Sequence, residues 1–188
     1  LNTPRSIAFS DYDAYKDNNW KRADGKPAGF LIDPGANANN PYWSAYRNTN
    51  HDKKDRLIGF AALDFTFTDW LNLKLRSGMD NYTIEYENIR ATGNPYWENN
   101  GSMTANMEKF TEVNSDFLLT AKGNWDRFGI VGTLGGNVMY RSRNWYKESS
   151  GEFVIPEFHA IANGKTHKGE YTKERKQINS LYATASLS

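Results

Sequence analysis

From Leu57 onward, apolar and polar side chains alternate with period two. Gly59, Ala61, Leu63, Phe65 and Phe67 share one face and Ala62, Asp64, Thr66 and Thr68 the other, with Phe60 the exception. Alternation of this length predicts a strand with one apolar face. Thr68-Asp69-Trp70 reads as a tight break. Leu71, Leu73 and Leu75 then alternate with Asn72, Lys74 and Arg76, and this second strand continues through Met79 and Tyr82. The unit recurs. Phe117, Leu119 and Ala121 alternate with Asp116, Thr120 and Lys122, with Leu118 out of pattern. Gly123-Asn124-Trp125-Asp126 turns the chain, after which Phe128, Ile130, Leu134, Val138 and Tyr140 oppose Gly129, Thr133, Gly135, Asn137 and Arg141. A last strand sets Leu181, Ala183, Ala185 and Leu187 against Ser180, Tyr182, Thr184 and Ser186. The predicted strands lie near 57–67, 71–83, 113–123, 128–141 and 177–188.

The connections differ sharply in length. Residues 1–56 are dense in turn chemistry, such as Asp17-Asn18-Asn19 and Asp33-Pro34-Gly35, and read as one long irregular segment. Residues 84–111, with Thr92-Gly93-Asn94-Pro95, and 142–174, rich in Lys, Glu, Gly and Asn, read as two further loops. Short turns thus alternate with loops of roughly 30 residues, where compact domains mostly use about 4–6. A soluble sandwich buries its apolar faces against each other and usually keeps its loops short at both ends. Outer-membrane barrels instead have short periplasmic turns and long outer loops. On that reading Lys74, Arg76, Lys122 and Arg141 point into a watery lumen while the apolar face meets lipid, where only a closed barrel satisfies the backbone. Five strands fall short of the smallest barrel, of about eight. The expectation is therefore an all-β fold, a section of a large antiparallel transmembrane β-barrel. Residues 1–56 would be an extracellular loop region and 57–188 the partial barrel.

Composition narrows the chemistry. The 188 residues hold no Cys, which excludes a disulfide framework, a thiolate zinc site and a cysteine nucleophile. Lys plus Arg number 23 against 22 Asp plus Glu, so no large positive field marks a nucleic-acid binder. No apolar run approaches the roughly 18–20 residues of a spanning helix. The chain begins at Leu1 without a basic-then-apolar leader, which reads as a processed or partial chain. His51, His159 and His167 fall in loop-like stretches without metal-ligand spacing. Asp11-Tyr12-Asp13 opens like a calcium loop but continues with Tyr15 and Lys16 where that loop needs a ligand and a glycine. Glu85 and Glu87 read as alternating charge at a strand end, and no nucleophile elbow, zinc-protease helix or phosphate-binding glycine loop is present. The expectation is no enzyme, no metal and no cofactor.

Several segments carry a family resemblance in their order. They are Pro4-Arg5-Ser6-Ile7, Asn40-Pro41-Tyr42-Trp43, Asp55-Arg56-Leu57-Ile58-Gly59, Thr68-Asp69-Trp70-Leu71, Glu112-Val113-Asn114-Ser115-Asp116-Phe117-Leu118, Leu134-Gly135-Gly136-Asn137 and Ser180-Leu181-Tyr182-Ala183-Thr184-Ala185-Ser186. Together they resemble the middle of the barrel in SusC/RagA-type TonB-dependent transporters, over essentially the whole chain. The resemblance implies a barrel of about 22 strands in the outer membrane, with a plug and a TonB-contacting segment that have no counterpart in this sequence. It also implies import of oligosaccharides or peptides, with a SusD-like surface lipoprotein as lid. The candidate contacts for ligand or lid are the loop aromatics Tyr42, Trp43, Tyr96, Trp97, Trp145 and Tyr146, the first four from two Asn-Pro-Tyr-Trp segments. Packing of loop against loop is the plainer reading of each. Trp70 and Trp125, in the short turns, fit an interfacial girdle. A secreted, soluble β-rich glycan-binding module remains the alternative.

Overall fold

The computed structural model describes residues 41–93 and 100–188. A short helix α1, Pro41–Arg47, precedes five strands: β1 Thr49–Thr68, β2 Leu71–Arg90, β3 Ser102–Trp125, β4 Phe128–Glu152 and β5 Lys168–Leu187. They form one antiparallel sheet in the order β1-β2-β3-β4-β5, each strand bonded to the next in sequence, with β1 and β5 at its ends. The tight turns fall where the alternation breaks, at Asp69-Trp70 and Asp126-Arg127. Asp126 takes a φ of 46°, a left-handed conformation that Asp tolerates better than most residues. None of the described helices is long and apolar enough to cross a membrane, a statement that leaves strands untouched.

The strands run well past their expected ends. They contain 20 to 25 residues each, about twice the 9–11 that cross a bilayer. β1 begins inside the stretch read as loop up to residue 56. Of the loop expected over 84–111, residues 84–90 belong to β2 and 102–111 to β3, and the loop expected over 142–174 shrinks to 153–167. The reason is that hydropathy alternates only where one face is apolar. Beyond that band both faces carry polar groups, as where the Asn88 side-chain amide donates to Asn50, and pairing continues without the signal.

Two compact units divide the chain. One draws, among the described residues, on 41–53, on 85–93 and 100–107, and on Tyr146–Tyr171. Its core is small: Ala91 and Phe153 are 1% and 0% exposed, surrounded by buried Thr92, Ser102, Ser150 and Asn163. The other unit comprises Lys54–Ile84, Glu108–Trp145 and Thr172–Ser188. It buries only Gly135 and Gly136, while Leu63, Phe65, Phe67, Leu134, Val138 and Leu181 stand exposed along one face. A soluble sandwich would need a second layer over that face, and none exists among the described residues.

Candidate functional site

Cross-strand contacts fix the register of the second unit. Arg76 Nε donates to Asp116 at 2.8 Å, Ser77 bonds Ser115 on the opposite face at 2.8 Å, and Asn81 donates to Thr111 at 2.7 Å. The Gly129 and Ser188 backbones pair, and Thr133 bonds Thr184. Successive side chains leave opposite faces, so this register collects the charged residues on one side and the apolar ones on the other.

On the polar face every cation just named in the sequence reading except Lys122 meets a carboxylate. Lys74 lies 3.4 Å from Asp64, Arg76 2.8 Å from Asp116, and Arg141 2.7 Å from Glu112. Arg56 makes two bonds to Asp80, at 2.9 and 2.7 Å, and Arg143 two of 2.9 Å to Glu108. Glu108 also accepts from the Tyr82 hydroxyl at 2.9 Å, and the Tyr82 ring stacks on Phe110 at 4.7 Å. Lys54 sits 4.7 Å over Tyr82, and Arg141 5.8 Å over Phe110. Exposed ion pairs stabilise little individually. Their effect here is to hold long side chains flat and oriented against the wall, so that fixed, mixed charge faces water. Glu108 and Phe110 lie in the stretch read from sequence as loop, and their place on β3 follows only from the register.

The glycines inside the strand pattern serve close packing at two of three positions. A Cβ on Gly135 would collide with the Tyr182 ring on the polar face, and one on Gly136 would stand 2.5 Å from Phe117 and 3.0 Å from Leu181 on the apolar face. Gly132 has open space around it.

In the first unit, 153–167 is a built loop. The Asn163 side chain accepts from the Ile155 N–H at 3.0 Å and donates to the carbonyls of Ile155 and Phe158 at 2.7 and 2.6 Å. Thr92 Oγ1 accepts from the Glu157 N–H at 3.1 Å, and Arg47 pairs with the Glu157 carboxylate at 2.8 Å. His159 packs against Phe153 at 5.8 Å between ring centres. Glu152 holds Lys165 at 2.5 Å and accepts from the Asn100 N–H at 3.1 Å. The Lys165 ammonium, then the Asn100 N–H, hold the Glu152 carboxyl below its ordinary range against a smaller opposing effect of burial. Val154, Ile155 and Phe158 nevertheless remain exposed, a surface that the sequence reading missed because it contains no repeated motif.

The six aromatic candidates fare unequally. Tyr42 and Trp43 belong to α1, but their side chains lie outside the described residues, as do Tyr96 and Trp97 entirely. Trp145 and Tyr146 do not begin a loop: they lie within β4. Being consecutive in a strand, they point to opposite faces. Trp145 is 43% exposed, and Tyr146, 40% exposed, stacks on Tyr171 at 4.7 Å. Both sit in a strand rather than a loop, and Tyr146 is held by the Tyr171 ring of β5.

Taken together, these features define an all-β fold class: a section of a large antiparallel transmembrane barrel, charged on one face and apolar on the other. The particular likeness is to solved structures of the RagAB peptide transporter. One of these matches at a TM-score of 0.74 and 16% identity over 87% of this chain. The RagAB peptide importer in its "closed-closed" and "open-open" states matches at TM-scores of 0.74 and identities of 17% and 16%, each over 88% of this chain. The chain spans 19% of the length of each of these. No family model and no curated protein matches the sequence.

Proposed function

We propose that this chain forms five strands of an outer-membrane TonB-dependent transporter of the SusC/RagA type. The observation that carries the reading is the division of faces: an exposed apolar face opposite a charged wall whose side chains are tied flat by carboxylate pairs. In water that apolar face is a liability, and against acyl chains it is at rest. The fold it shares with the RagAB peptide importer supports the same reading. The apolar face meets lipid, the charged wall lines the path of a water-borne peptide or oligosaccharide, and the built loop 153–167 lies outside the cell beneath a SusD-like lipoprotein lid. The chain performs no chemistry on its cargo. Energy reaches the full-length protein through TonB.

The test is uptake of a labelled peptide mixture by cells carrying the full-length protein. Trp43→Ala and Trp97→Ala are expected to leave assembly intact, and at least one to weaken uptake or lid association roughly ten- to hundredfold, as loss of a buried ring worth about 1.5–3 kcal/mol would. A protonophore should stop uptake in the parent. Assembled variants that transport and bind the lid as the parent does would remove these residues from the site. Uptake indifferent to the protonophore would remove the TonB-dependent reading.

A further inference from the structure

One stack on the charged wall crosses four strands. Tyr82 of β2 and Phe110 of β3 lie ring to ring at 4.7 Å. Lys54 of β1 covers the far side of Tyr82, and Arg141 of β4 the far side of Phe110. The ring quadrupoles attract both cations. Each ring is thus covered on both sides, and neither offers an open face on which a sugar could lie. The stack instead holds its two cations in place.

Arg141 is only half committed. Its Nε donates to Glu112 at 2.7 Å, and among the described residues neither Nη has a partner. Arg143, two positions along β4, differs in giving Glu108 both its Nε and one Nη. The Arg141 side chain is 44% exposed. A guanidinium tied down by Nε presents its two Nη groups as a fork that matches both oxygens of one carboxylate. Phe110 and Glu112 orient that fork in advance, so less freedom is lost when an anion binds. The surrounding charge also favours an anion. The register that pairs Gly129 with Ser188 and Thr133 with Thr184 sets Lys176 of β5 beside Arg141 on the same face, and Lys176 has no carboxylate partner among the described residues. Glu174, by the same register, lies beside Arg143 instead.

We infer that Arg141 is a cargo contact of this wall: its free Nη edge takes a carboxylate of the passing peptide, at the C-terminus or on an acidic side chain, in preference to a neutral oligosaccharide. This contact rests on the transporter reading and narrows its cargo, and the experiment separates the two. The purified full-length protein is offered a degenerate pool of N-acetylated heptapeptides free of Asp and Glu, in three forms: free acid, C-terminal amide, and amide with one Glu added. Maltoheptaose is the neutral sugar, and retained molecules are quantified by mass spectrometry. The free acid, the Glu-bearing amide or both are expected to be retained about tenfold over the plain amide and the sugar, and the form retained tells which carboxylate is read. An exposed pair such as Arg141 with Glu112 holds little stability, so Arg141→Gln and Arg141→Lys should assemble, as heat-modifiable gel mobility will show. Both should lower retention to that of the amide, the lysine because it keeps the charge and loses the fork. Equal retention of acid and amide by the parent, retention of the sugar alone, or a preference that survives in either variant overturns the contact and leaves the transporter reading standing. An assembled parent that retains nothing from any arm overturns both.

Discussion

At the scale of single residues, the account turns on which face each side chain takes. Leu134 and Thr133 are neighbours in β4, yet Leu134 is exposed on the apolar face while Thr133 bonds Thr184 on the polar one. A guanidinium placed at residue 134 would sit in hydrocarbon, at a cost of about 2–4 kcal/mol near the midplane. At residue 133 the same group joins a wall that already holds Arg76 and Arg141 against carboxylates. Leu134→Arg should therefore weaken the full-length protein by that amount in denaturant unfolding from vesicles, with Thr133→Arg costing far less. Equal losses would mean that both faces are buried or that they are assigned in reverse.

At the scale of elements, loop 153–167 is held by a few strong points and should yield at them. Asn163→Ala removes three hydrogen bonds from a buried side chain and takes that partner from the Ile155 N–H and carbonyl, while the Phe158 carbonyl keeps the Ala160 N–H, for about 1–3 kcal/mol of local stability. Amide exchange at Ile155 should accelerate accordingly while exchange in the middle of β3 stays as it was; unchanged protection at Ile155 would remove Asn163 as the loop's anchor. Glu152 adds a dependence on pH. Its carboxyl is held below the ordinary range in the folded loop, so the unfolded loop binds that proton more tightly. The stabilisation is then complete above the ordinary carboxylate range and is lost as pH falls through the lowered value. Protection at Lys165, taken relative to the intrinsic exchange rate at each pH, should fall as the protein is acidified through that window, and Glu152→Gln should flatten the profile. A flat profile in the parent would mean that the Lys165 pair contributes nothing to loop order.

The sequence made the membrane-facing half of each strand legible because there one face is apolar and the period of two shows, as from Gly59 to Phe67 or Ile130 to Tyr140. Phe60 broke that pattern and stands 86% exposed on the polar face. The outer half of each strand was not legible. Glu85, Glu87, Glu108 and Trp145 lie in strand segments whose two faces are both polar, so nothing in their hydropathy separates them from a loop; backbone pairing is what makes these segments strand. The carboxylate partners were hidden for the same reason. Arg143 and Glu108 meet only once β3 and β4 are in register, and no spacing along the chain reveals that.

At the scale of the whole molecule, the sheet order leaves β1 and β5 each with one strand neighbour among the described residues. In lipid, unpaired backbone is not tolerated, so the proposed reading requires further strands to pair along both and the apolar face to meet hydrocarbon throughout. Cysteine scanning of β4 from Gly129 to Arg141 in the full-length protein, in intact outer membranes, tests this most directly. These 188 residues contain no Cys to compete with the introduced ones. Labelling by a charged, water-soluble maleimide is predicted to alternate with period two: high at Val131, Thr133, Asn137 and Met139, and near zero at Ile130, Leu134, Val138 and Tyr140. Labelling that fails to alternate, or that is as high at Leu134 as at Thr133, would contradict the assignment of one face to lipid and the other to water.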